Sequence, residues 1–135
     1  MCIRDSVKII NIEALTMLDM VQKDILPAVS SYVHELSDTV LAKKAVSAAI
    51  PCDVETTLIN KLSGLASSLY TKAEELNDIL LKSKDMEDVE ALAHYFRDSV
   101  FAAMQELRAV ADEIEVNMAK EFWPYPTYGE LLFNV

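Results

Sequence analysis

The sequence predicts an all-α protein: an antiparallel three-helix bundle with long helices, the first kinked at Pro27, and an extended C-terminal tail rich in aromatic residues and proline. Three observations carry this. Apolar residues recur at alternating spacings of four and three through most of the chain, which is the period of a helix with one buried stripe. Among 135 residues only 2 are Gly and 4 are Pro while 52% are hydrophobic, so the material for tight turns and hairpins is scarce. The connections between periodic segments are short, and short connections force antiparallel neighbours.

The first helix is expected over about residues 11–46, with Ala14, Leu18, Val21, Ile25, Ala28, Tyr32 and Leu36 on its apolar stripe. Pro27 lies inside it, where it removes a backbone donor and crowds the carbonyl four residues back. Because the stripe passes through Pro27 without a change of phase, the reading is one kinked helix; the alternative is two helices meeting at Leu26. Pro51, Cys52 and Asp53 read as a turn into a second helix reaching about Lys84, with Asp53 as its N-cap. Its stripe is Leu58, Leu62, Leu65, Leu69, Ala73, Leu76 and Leu80, and mid-helix Gly64 suggests close approach of a neighbouring helix. A connection at residues 83–85 leads to the third helix, with Asp85 placed to cap it and Glu87 and Asp88 favourable to its dipole. This is the segment around which the others are organised: Val89, Ala93, Phe96, Val100, Ala103, Leu107, Val110 and Ile114 form an unbroken heptad seam. Glu90, Arg97, Asp98, Gln105, Arg108, Asp112 and Glu115 lie on its other side.

The tail at residues 122–135 differs in kind. Pro124 and Pro126 exclude a helix, and half of the ten aromatic residues fall here: Phe122, Trp123, Tyr125, Tyr128 and Phe133. Such a string packs either on its own bundle or on another domain or subunit. Because a bundle with matched seams has its own core, the tail reads as a docking element, with Trp123, Tyr125, Tyr128, Leu131 and Phe133 as its anchors. On that reading, removing it from the isolated chain costs about 1 kcal/mol or less.

Composition excludes several classes of function. A formal charge of -10 argues against nucleic acid, whose phosphates need Lys and Arg in excess, and against anionic membrane surfaces. No apolar run approaches the roughly 20 residues of a membrane span. Cys2 and Cys52 are too few for a disulfide framework and fit free thiols in a reducing cytoplasm. Residues 1–6 resemble a translated library adaptor, which would place the start of the chain inside something longer and the bundle at residues 7–121.

Candidate chemistry is thin. His94 has Glu90 and Asp98 one turn to either side, as a metal site would, but the same pattern describes a solvated charged face. A di-iron bundle wants Glu three residues before each His, and Ala91 and Ser31 stand there instead. His34 beside Glu35 reads as a surface residue. No Cys or Ser sits in a nucleophile elbow, and Gly at 64 and 129 alone gives no phosphate loop. Met17, Met20, Met86, Met104 and Met118 read as core filler.

Particular runs carry a resemblance. Residues 11–20, residues 24–30 (Asp24, Ile25, Leu26, Pro27, Ala28, Val29, Ser30), residues 100–113 and above all the tail from Trp123 through Phe133 resemble the helical C-terminal region of type III glutamine synthetases, in order and over about residues 7–135. The resemblance implies a cytoplasmic enzyme of nitrogen assimilation. The complete enzyme would join glutamate and ammonia with ATP through a γ-glutamyl phosphate, with Mg or Mn in its site and subunits in stacked rings. The catalytic domain would lie upstream. None of its motifs is present here, so the resemblance places no catalytic, cofactor-binding or metal residue on this chain. The implied partners are that catalytic domain and neighbouring subunits. The alternative reading is a free-standing acidic helical interaction module.

Overall fold

The computed structural model describes residues 3–126, and every regular element among them is helical. Three rods follow one another. The first comprises α1 (Ile3–Met20), a single π-helical turn (Val21–Ile25) and α2 (Leu26–Val46). The second is one uninterrupted helix, α3 (Asp53–Ser83). The third comprises α4 (Val89–Tyr95), a second π turn (Phe96–Val100) and α5 (Phe101–Asn117), and a short 3-10 turn (Lys120–Phe122) closes the regular structure.

Pro27 does not break the first rod, which is helical on both sides of it. It follows directly on the π turn, where the Leu26 amide bonds the Val21 carbonyl five residues back. The wider turn relieves the crowding that a proline ring imposes on the carbonyl four residues before it. One expectation fails here. The buried positions run Ala14, Leu18, Val21, Ile25 and then Val29, with Ala28 only half-buried. The stripe therefore moves on by one residue as it passes Pro27, because the π turn takes up the extra residue.

Several boundaries also differ from the sequence reading. The first rod is already helical at Ile3. The N-cap of α3 is Cys52, whose carbonyl accepts from the Thr56 amide at 2.9 Å, so Asp53 is the first helical residue. With Glu55 it supplies negative charge to the first turn. Asp85 does not cap the third rod either. Its amide is spent on the Lys82 carbonyl in the last turn of the second rod, and the cap is Asp88, with extended backbone and a carboxylate accepting from the Glu90 amide at 3.1 Å. Gly64 is exposed, and a Cβ built there meets nothing within 4 Å, so no helix approaches it closely.

The three rods share one core. Leu62, Leu69, Leu76, Val100, Leu107 and Ile114 are fully buried, joined by Val29 from the first rod. Each such leucine contributes about 1.5 to 3 kcal/mol relative to an exposed one. α2 packs on α3, α3 on α5, and α1 on α4. Around the first connection, Lys44 Nζ donates to the Ala48 and Ile50 carbonyls at 3.0 and 2.8 Å. Lys43 forms a short ion pair with the largely buried Glu55 carboxylate, tying the end of the first rod to the start of the second. That hydrogen bond lowers the Glu55 pKa from its ordinary 4.5 and raises that of Lys43 from 10.5. Its stabilisation is accordingly present at neutral pH. It is lost in acid as Glu55 protonates below 4.5, and in base as Lys43 deprotonates above 10.5.

Candidate functional site

The described part of the tail turns back onto its own molecule. At the end of the 3-10 turn, the Phe122 ring meets Tyr32 of α2, with centroids 5.1 Å apart. Trp123 packs edge-on against Tyr125 at 5.9 Å, and Tyr125 Oη donates to Asp24 Oδ2 in the first π turn at 2.6 Å. Pro124, between the two rings, fixes backbone φ and so lowers the entropy of holding them together. Burial first, and then the hydrogen bond and negative charge of Asp24, hold the Tyr125 hydroxyl well above its ordinary pKa of 10.0, so it remains a donor through the neutral range. Residues 122–126 thus form a strap across the π turn that accommodates Pro27.

Phe122, Trp123 and Tyr125 are half-buried against the common core. This part of the tail therefore packs on its own bundle, the other of the two placements the sequence left open. The other predicted anchors, Tyr128, Leu131 and Phe133, lie outside the described residues. Beneath the strap is a cleft of about 310 Å³ between the first and third rods, lined by Met17, Met20, Leu107, Ala111, Trp123 and Tyr125 among others. The Trp123 indole N–H is buried and has no acceptor among the described residues. Aromatic content pointed to the strap. Its landing place was not legible, because Asp24 is 101 residues away from Tyr125.

The candidate polar residues are not brought together. His94, Glu90 and Asp98 are all exposed on the third rod. His34 is exposed as well, and its Nε2 lies 3.4 Å from Asp38 on the next turn of its own helix. Among the described residues no three His, Cys, Asp or Glu side chains converge to hold a metal ion. Cys52 is a buried free thiol, and Cys2 lies outside the described residues. Met104 and Met118 are buried in the core, and Met17 packs against it. No helix among the described residues is long and apolar enough to cross a membrane.

Comparison with known proteins is informative at this point. Residues 3–44, the first rod almost to its end, match the family described as glutamine synthetase C-terminal domain. A glutamine synthetase of Butyrivibrio fibrisolvens is 32% identical over 128 residues, which is 95% of this chain and 18% of that protein. A type-3 glutamine synthetase of Dictyostelium discoideum is 25% identical over 131 residues, 93% of this chain and 18% of the relative. A glutamine synthetase of Bacteroides fragilis is 23% identical over 129 residues, again 93% and 18%. The chain thus spans about a fifth of the length of the curated relatives it matches. No solved structure matches it significantly. Nearly the whole chain aligns with these proteins and its first rod with their named domain, so it belongs to the glutamine synthetases as a C-terminal region.

Proposed function

We propose that this chain is the helical C-terminal part of a type III glutamine synthetase, itself non-catalytic, and that it packs between domains or subunits of the complete enzyme. The observation that carries this reading is the coverage: similarity extends over 95% of the chain yet only 18% of the relative, so the ligase machinery has ample room elsewhere in the polypeptide. In the complete enzyme that machinery joins ammonia to glutamate with ATP and Mg or Mn, in the cytoplasm, and its catalytic domain and neighbouring subunits of a ring are the partners of this part. The three rods form an antiparallel, coiled-coil-like bundle over residues 7–121, bent at Pro27, and residues 122–135 are the docking tail. Its half with Tyr128, Leu131 and Phe133 reaches the partner, while Trp123 and Tyr125 fix its root.

Two measurements test this. Titration calorimetry of the chain with ATP and manganese is expected to give no heat above dilution, and saturable binding at one site in the micromolar range overturns the non-catalytic role. In the complete enzyme encoded by the extended reading frame, removal of residues 122–135 is expected to lower the assembled mass in light scattering. An unchanged mass overturns the docking role.

A further inference from the structure

A groove of about 400 Å³ opens where α1, the end of α3 and the start of α4 meet. Buried Phe96 lies in its floor, and Leu15 and Leu81 stand on its walls with 51% and 50% of their surface in water. Lys8 and Lys84 flank it, with Asn77 between the apolar positions. Neither ammonium has an ion-pair partner among the described residues, and no Asp or Glu lines the groove. That is unusual in a chain with 22 acidic residues against 12 basic ones. The groove at Ile12 has Glu13, the cleft under the strap has Asp112, and the hollow at His34 has Glu35 and Asp38. Half-exposed leucines between two unpaired cations are complementary to a segment that carries one carboxylate among apolar side chains.

Residues 127–135 have that composition. They read Thr-Tyr-Gly-Glu-Leu-Leu-Phe-Asn-Val, with Glu130 as their one charged side chain, followed at once by Leu131, Leu132 and Phe133. The groove lies on the side of α1 away from the strap. Met17 under the strap and Lys8 at the groove are nine residues apart, which at 3.6 residues per turn is two and a half turns and therefore opposite faces. A tail leaving its own strap would have to wrap round α1 to arrive there, whereas the tail of another molecule meets no such obstacle.

We propose that this groove is the docking site for residues 127–135 of a second copy of the chain, with the Glu130 carboxylate between Lys8 and Lys84 and the following apolar residues against Leu15 and Leu81. The proposal rests on the docking-tail reading above and names its partner surface. Such a contact joins two different patches, so it is heterologous and builds a ring or a filament.

The test uses the whole chain at low ionic strength, with mass followed by light scattering across a concentration series and helix content checked by circular dichroism. The unaltered chain is expected to gain mass with concentration. The paired substitution Lys8→Glu with Lys84→Glu, and separately Glu130→Lys, is expected to weaken association at least about tenfold without loss of helix, Lys8 and Lys84 both being exposed. Mixing the two variants restores complementary charge at every junction, so association is expected to return in the mixture alone. A chain that stays monomeric, or association indifferent to these substitutions, overturns the proposal. Either result leaves the packing role to be judged by the complete enzyme, where the tail would then meet a different surface.

Discussion

The second rod and the first are of similar make and behave differently. α3 runs for 31 residues without a fault, and its buried leucines are those that heptad spacing selects. The first rod carries a proline, a π turn, a shift of its buried stripe by one residue and a strap across the fault. A helix whose every turn is alike needs only the pattern of its side chains to find its place. One that must absorb an extra residue has its register set by what packs on it, and here that includes Tyr125 from the far end of the chain.

The contrast is broken or sharpened by substitution. The largest effects are expected in the regular seams: Leu69→Ala and Leu107→Ala should each cost about 2 to 5 kcal/mol in urea melts, while exposed Arg108→Ala costs under about 0.5 kcal/mol. Equal losses at Leu107 and Arg108 would mean that the seam is not the buried face. Next is the register of the first rod. Val29→Ala should cost about 2 kcal/mol and Ala28→Ser under about 1 kcal/mol, and the reverse order would restore the unshifted stripe. Tyr125→Phe, which removes only the hydroxyl that reaches Asp24, should cost about 0.5 to 1.5 kcal/mol. No loss would leave the strap's polar contact without a stabilising role. The smallest change is a gain. Gly64→Ala in the second rod should stabilise by about 0.5 to 1 kcal/mol, since the added methyl meets open space and the helix loses a flexible residue.

The helical class and the buried faces of the second and third rods could be read from the sequence because they rest on local periodicity. Leu62, Leu69, Leu76, Phe96, Val100 and Leu107 were all placed on the seam and are all buried. What escaped depends on choices among chemically similar residues or on distant contacts. Asp85, Glu87 and Asp88 all suit a helix start, and the last turn of α3 decides among them by claiming the Asp85 amide. A π turn has no residue signature of its own, so the step from Ala28 to Val29 could not be anticipated. The candidate sites were less legible than the fold. The strap joins residues a hundred apart, and the Lys8 and Lys84 groove takes its walls from three helices, so neither leaves a spacing to recognise.

Trp123 is the chain's single tryptophan, and the strap holds its indole N–H out of water. Its intrinsic fluorescence therefore reports one local event, while far-ultraviolet dichroism reports the helices together. A strap that lets go before the rods separate would shift the emission to the red at a denaturant concentration where the helical signal is still whole. Coincident curves would place it in the same cooperative unit as Leu69 and Leu107. The protein thus carries a built-in optical probe for the opening of its own C-terminal fastening.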